Sequence, residues 1–106
     1  MGAGKTSLDD QSQKSRNHEL FQAISKLQSI EEVERFLVDL CTPAELRSMA
    51  DRWQVAKLLV EGVPYRTIYE QTGVSTATVT RVARSLEYGS NGYKQALEMD
   101  EGNPHG

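Results

Sequence analysis

The segment from Pro64 to Leu86, PYRTIYEQTGVSTATVTRVARSL, constrains the fold more than any other part of the chain. Its second half, from Gly73 onward, is rich in Thr and Val, which β-strands favour, but strand alternation would leave neither of its faces apolar. Helical periodicity instead gathers four apolar residues into one stripe, at i, i+3, i+4 and i+7: Val79, Val82, Ala83 and Leu86. The periodicity therefore predicts a helix, and Ser75 stands where its N-cap belongs.

The first half of this segment, PYRTIYEQTG, predicts a shorter helix that begins at Pro64 and ends at Gly73. Two short helices joined by a tight turn containing Gly are the outline of a helix-turn-helix, and Gly73 can adopt the left-handed backbone of that turn. The side chains spaced to pack across the turn are Ile68, Val74, Val79 and Val82. Tyr69 departs from the motif, because a small residue usually stands at that position.

A longer helix is predicted before this motif, from Pro43 to Glu61, with Gly62 as its stop. Thr42 and Glu45 form a capping box at its start, and Pro43 supplies a preset φ where no N–H is needed. One apolar stripe contains Leu46, Met49, Ala50, Trp53 and Val60, and the opposite side carries Val55, Leu58 and Leu59. A helix that is apolar on both sides must be buried on both sides, so we expect a second subunit to cover one of them. Burial within a single subunit is the alternative.

Two further helices are predicted toward the N-terminus. The first has an apolar stripe over about three turns, formed by Leu20, Phe21, Ile24 and Leu27. Ser29 and Glu32 form a capping box that begins the second, and its buried face would be Val33, Phe36, Leu37 and Leu40. Residues 1–17 are polar without periodicity and predict a disordered arm, as residues 99–106 predict a flexible tail. Residues 18–98 then form one domain, and the expected fold class is all-α with about six helices.

Composition excludes several classes of protein. The 106 residues include no apolar run long enough to cross a bilayer, and the N-terminus lacks the apolar core of a signal peptide, so we expect a cytoplasmic protein with no membrane partner. The single Cys41 excludes an internal disulfide. His18 and His105 lie near opposite ends of the chain without other ligands nearby, so we expect neither a metal site nor a cofactor.

The helix predicted after Ser75 carries short hydroxyl side chains and two arginines opposite its apolar stripe. Arginine can pair bidentately with guanine, and threonine can bond to phosphate or contact the methyl group of thymine. Between Val63 and Leu86 three arginines stand against one glutamate, a local charge of +2 in a chain whose net charge is −3. We therefore predict double-stranded DNA as the partner, bound by Arg66, Ser75, Thr76, Ala77, Thr78, Thr80, Arg81 and Arg84.

From Leu40 to Leu86 the sequence LCTPAELRSMADRWQVAKLLVEGVPYRTIYEQTGVSTATVTRVARSL resembles the Trp-repressor family, and the EYGSNGY that follows makes it similar to the YerC/YecD branch in particular. The resemblance implies an intertwined homodimer whose two helix-turn-helix units enter successive major grooves about 34 Å apart. It also implies a transcriptional regulator that binds a palindromic operator, and we expect this regulator to be a repressor.

The resemblance also implies an effector pocket. In tryptophan-binding members the corepressor lies between two arginines, which Arg52 and Arg81 match, and Ser85 matches a nearby serine. Val82 stands where the repressor has a glycine that leaves room for the indole, and a β-branched side chain should collide with that ring. We expect DNA binding without tryptophan as corepressor, and the sequence identifies no other effector.

Two other functions compete with DNA binding. GAGKT at residues 2–6 resembles the end of a phosphate-binding loop, but such a loop follows a strand in an α/β fold, so we expect no enzyme. The stronger alternative is a helical dimer that holds another protein with the same surface and binds no DNA. The net acidic charge favours this alternative.

Overall fold

The computed structural model describes the backbone of residues 2–102 and the side chains of residues 9–100. Within that range the chain contains helices and no strand, which confirms the all-α prediction with about six helices. The helices are α1 (Gly2–Ser25), α2 (Ile30–Leu40), α3 (Pro43–Val60), α4 (Tyr65–Thr72), α5 (Thr76–Tyr88) and α6 (Gly92–Gly102). None of these described helices is both long enough and apolar enough to cross a membrane.

The chain forms two compact units, which divide between Cys41 and Thr42. The first contains α1 and α2, and the second contains α3 to α6.

Helix α1 includes residues 2–17, where the sequence predicted a disordered arm. The side chains described in this segment, those of residues 9–17, are all exposed. Local hydrogen bonds join them: Gln13 Nε2 donates to Asn17 Oδ1 at 2.8 Å, and Arg16 donates to Gln13 Oε1 at 3.0 Å. Residues 2–17 have no apolar stripe from which a helix could be predicted. Residue 1 lies outside the described residues, and of the predicted tail, residues 99–102 continue α6 while residues 103–106 lie outside.

Helix α2 begins where predicted, but one chain buries its predicted face only in part: Phe36 and Leu37 are half-buried, and Val33 and Leu40 are exposed. The N–H of Glu32 donates to Ser29 Oγ at 3.1 Å, while the Glu32 carboxylate accepts from the N–H of Gln28 at 2.9 Å rather than from that of Ser29. All eleven residues of α2 are described and none is buried. Leu40, for example, is 50% exposed. The packing of α1 and α2 in one chain therefore leaves the apolar face of α2 in contact with solvent.

Helix α3 begins with the predicted capping box, since Thr42 N–H donates to the Glu45 carboxylate at 2.8 Å and Glu45 N–H donates to Thr42 Oγ1 at 3.1 Å. Val55, on the side of α3 opposite Met49 and Val60, is fully buried in the core of the second unit. The stripe that contains Met49 and Val60 is covered only in part: Ala56, at i+7 from Met49, is also fully buried, but Met49 is 36% exposed and Val60 is 52% exposed. The helix thus has two apolar sides, and the chain leaves part of one of them uncovered.

Candidate nucleic-acid interface

Helices α4 and α5 form the predicted helix-turn-helix. Gly73 lies between them with φ of 75°, the left-handed conformation expected from the sequence, and its N–H donates to the carbonyl of Tyr69 at 2.8 Å. Pro64 is the N-cap of α4 rather than its first helical residue, a difference of one position.

A threonine that the sequence analysis did not identify also holds the turn. The Thr72 hydroxyl donates to the carbonyl of Ile68 at 2.7 Å and accepts from the N–H of Val74 at 3.0 Å. The side chain of a residue at the end of α4 thereby binds the backbone on both sides of Gly73. Its sequence signal was a threonine directly before the turn glycine. The two bonds hold Val74 where its side chain enters the core.

The core between the two helices contains the four side chains expected to pack across the turn: Ile68, Val74, Val79 and Val82, which pack with Val55 and Ala56 of α3. Ile68 and Val79 are 0% exposed. Tyr69 is 52% exposed, so its large ring lies outside this contact and does not separate the helices.

Two of the predicted DNA-binding residues bond to each other at the start of α5, where Ser75 is the N-cap. Ser75 Oγ accepts from the N–H of Thr78 at 3.2 Å and donates to Thr78 Oγ1, also at 3.2 Å. Ser75 is exposed and Thr78 is half-buried. Both hydroxyls therefore have partners within the helix terminus, and this bonding fixes where α5 begins.

The other predicted side chains of α5 lie together on its exposed face: Thr76, Ala77, Thr80, Arg81 and Arg84. Ala77, Arg81 and Arg84 follow each other at i, i+4 and i+7 and so share one stripe. Among the side chains that the structure describes, no carboxylate lies within 4.0 Å of either guanidinium of that stripe. Both charges therefore face solvent without an internal partner.

Arg66 lies on α4, away from this stripe, with its Nε 3.6 Å from Oε2 of Glu70. Both side chains are largely exposed, and an exposed pair of this type contributes about 1 kcal/mol or less. Separating Arg66 from Glu70 therefore costs little free energy.

Tyr88 extends the exposed stripe of α5 by one more turn. It stands at i+4 from Arg84, is 76% exposed, and is the last residue of the helix. Gly89 follows, where a Cβ would collide with the carbonyl oxygen of Ser85. Tyr88 lies beyond Leu86, where the apolar stripe that predicted α5 ends, although its i+4 spacing from Arg84 could have identified it.

Two open recesses lie beside this end of α5. One of about 350 Å³ is lined by Arg81, Arg84, Ser85, Tyr88 and Gly89. The other, of about 520 Å³, has Trp53 and Tyr93 among its lining residues.

The structure does not bring the four predicted effector-pocket residues into one recess of the single chain. Arg81 and Ser85 line the smaller recess, whereas Arg52 and Val82 line neither. Arg52 donates to Ser48 Oγ at 3.4 Å, and Val82, only 1% exposed, lies in the core.

The residues described offer no other chemical centre. They contain no group of three or more His, Cys, Asp or Glu side chains that could hold a metal ion. His18 is exposed on α1 and His105 lies outside the described residues. The GAGKT segment has helical backbone within α1, without a preceding strand in the described range.

Three comparisons with known proteins, by family model, by sequence and by structure, all find Trp-repressor-like proteins. The family model described as Trp repressor protein matches residues 15–101. The Bacillus subtilis (strain 168) protein YerC, which is uncharacterised, is 48% identical over 80 residues, covering 76% of this chain and 77% of YerC.

Two solved structures are also similar. A TrpR-like protein from Eubacterium eligens ATCC 27750 is 46% identical, with a TM-score of 0.74 over 77% of this chain and 84% of that one. A candidate Trp repressor from Staphylococcus aureus is 44% identical, with a TM-score of 0.76 over 80% of this chain and 85% of that one.

Proposed function

The chain belongs to the Trp repressor family, and we propose that it is a sequence-specific DNA-binding repressor that binds a palindromic operator as a homodimer. The family is one of transcriptional regulators and not of enzymes. The observation that carries the proposal is the exposed face of α5, where Arg81 and Arg84 stand without a carboxylate partner among the described side chains.

The two sides of α5 have different roles in DNA binding. The buried side anchors the helix through Val79 and Val82, so its exposed side can enter a major groove without changing shape. Short side chains at Thr76 and Ala77 allow the backbone to approach the base edges. Arg66 on α4 is placed outside the groove, where it would pair with a phosphate.

The proposed homodimer accounts for the apolar surface that one chain leaves uncovered. The apolar side of α3 that contains Met49 and Val60 is partly exposed, and no residue of α2 is buried. A second copy would cover these faces and place a second α5 in the next major groove, about 34 Å away.

The proposed regulator acts without tryptophan. Val82 stands where tryptophan-binding members of the family have a glycine that leaves room for the indole, and its β-branched side chain would take up that room. An effector of another kind would lie among Arg52, Arg81, Val82 and Ser85 only if the second subunit completed a pocket there. A DNA-binding regulator of this type would act in the cytoplasm.

Selection of bound sequences from a random DNA pool tests the proposal. Enrichment of a palindrome with half-sites about one helical turn apart would support both DNA recognition and the dimer. Affinity for the selected DNA should fall steeply between about 50 and 200 mM salt, because bound phosphates release counterions. If no sequence is enriched, the proposal is wrong.

The second candidate is a protein-interaction module that uses the same surface. The net charge of −3 favours it, because most domains that bind nucleic acid are basic. In that case the random pool would show no enrichment, and DNA would be retained weakly and without sequence preference at low salt.

A further inference from the structure

The exposed face of α5 has a restricted chemistry. From Thr76 to Ser85 the helix contains no Asp, Glu, Asn or Gln. Its exposed side chains are two guanidiniums, the methyl group of Ala77, the hydroxyl and methyl groups of Thr76 and Thr80, and the hydroxyl of Ser85. The first acidic side chain of α5 is that of Glu87, in its last turn. The face therefore offers guanidinium donors, hydroxyls that both donate and accept, and methyl contacts, but no carboxylate and no amide.

Each base requires a different group in the major groove. Asn or Gln recognises adenine through two hydrogen bonds, to its N6 and N7 atoms, and the amino group of cytosine needs an acceptor such as Asp or Glu. Guanine presents two acceptors, N7 and O6, which match the fork of an arginine, and thymine presents a methyl group that packs against Ala or Thr. The exposed face of α5 has the partners for guanine and thymine and lacks the strong partners for the other two bases.

We propose, on the premise that the protein is a DNA-binding regulator, that each operator half-site is recognised through guanine and thymine. Arg81 and Arg84 bind the N7 and O6 atoms of guanine, and Ala77 with Thr80 contacts a thymine methyl group. Ala77 and Arg84 are separated by about 10.5 Å along the helix axis, or about three base-pair steps of 3.4 Å. The thymine and the guanines therefore lie within about four base pairs of one another.

The position of these residues along α5 sets their order in the half-site. The thymine contact comes from the first turns of the helix, where Ala77 and Thr80 have the short side chains that permit close approach. The guanine contacts come one to two turns later, where the longer arginine side chains span a larger gap. Tyr88, at the end of the stripe, then falls beside the sugar-phosphate backbone, and its phenol can donate to a phosphate.

Replacing single atoms of the selected operator tests this inference without altering the protein. Deoxyuridine removes only the methyl group of thymine, and 7-deazaguanine removes only the N7 acceptor. We expect 7-deazaguanine in the half-site to weaken binding by about 10-fold or more, and deoxyuridine by about 3-fold to 10-fold. The same replacements outside the half-sites should leave affinity unchanged.

Protein variants assign each contact. In Arg81→Ala and Arg84→Ala, 7-deazaguanine at the position that the lost arginine reads should have no additional effect, because the contact is already absent. Arg66→Ala should weaken binding to all sequences alike, as loss of a phosphate contact does. Arg47→Ala, at an exposed position of α3, removes the same charge outside the helix-turn-helix and should retain the affinity and base preference of the wild type.

The outcomes separate this inference from the proposed function. If the random pool enriches no sequence, DNA recognition itself fails. If a palindrome is enriched but neither 7-deazaguanine nor deoxyuridine weakens binding, the protein is a DNA-binding regulator and the inference about guanine and thymine is overturned. Half-sites in which the base contacts fall on adenine and cytosine would overturn it equally.

Discussion

Arg81 and Val82 are neighbours in the sequence with opposite environments. Arg81 is exposed on α5, whereas Val82 is 1% exposed and packs with Ile68 and Val79. A change at one position should therefore alter DNA binding, and a change at the other should alter stability.

Replacing Val82 by Ala should lower the free energy of unfolding by about 2 kcal/mol, because it removes buried methyl groups and leaves a cavity that the core fills only in part. Chemical denaturation of the free protein measures the change. Thr80→Ala is the matched control, since it removes a β-branched side chain of similar size from the exposed face of the same helix and should change stability by less than about 0.5 kcal/mol. Equal losses in the two variants would contradict the assignment of Val82 to the core.

Saturating tryptophan should leave operator affinity unchanged, because Val82 stands where tryptophan-binding members of the family have a glycine, and a β-branched side chain there would collide with the indole. Binding titrations with and without tryptophan, at fixed salt, provide the measurement. Tightening by about tenfold, a coupling of about 1.4 kcal/mol, would show that the indole has a site.

Helix boundaries were the features that the sequence predicted best, because a few local residues determine them. Thr42, Ser75 and Gly73 each satisfy a backbone requirement that holds wherever a helix begins or ends, and the structure has them in the predicted roles. The same local reasoning missed the Thr72 bonds across the turn, which depend on the conformation that Gly73 adopts.

The capping box of α3 provides a test at this scale. Thr42→Ala should cost about 1 kcal/mol, because the N–H of Glu45 loses its side-chain acceptor, and thermal unfolding should shift down by about 5 °C. Thr42→Ser retains the acceptor and should unfold close to the wild type. A loss as large in the serine variant would mean that the methyl group of Thr42, and not the cap, supplies the stability.

The sequence predicted poorly those elements whose burial depends on another molecule, or whose helix shows no apolar periodicity. The predicted buried face of α2 is covered only in part in one chain, because amphipathicity shows that a face needs cover but not which molecule provides it. Helix α1 includes polar residues 2–17, which no apolar periodicity could indicate. For the candidate interface, periodicity separated the exposed from the buried residues of α5 correctly, but it could not show that the hydroxyls of Ser75 and Thr78 bind each other.

The uncovered apolar sides of α2 and α3 matter most for the whole molecule. Met49, 36% exposed on α3, lies on the stripe that the proposed second subunit would cover. Met49→Asp should weaken association by about 3 kcal/mol, on the order of 100-fold in dissociation constant, because a carboxylate would lose its water in the interface.

Sedimentation equilibrium measures this change as a shift from the mass of two chains to that of one. Gln54→Asp introduces the same charge on the polar side of α3, where Gln54 is exposed, and should remain associated like the wild type. A wild-type protein that sediments as a single chain at all concentrations would refute the homodimer.

These uncovered sides also link the protein's response to its abundance in the cell. If two chains must meet to bury them, folding stability rises with chain concentration, and at low copy number operator occupancy falls with about the square of that concentration. Halving the number of chains would then reduce occupancy about fourfold. A regulator built in this way turns a modest change in its own synthesis into a sharp change in the expression of its targets.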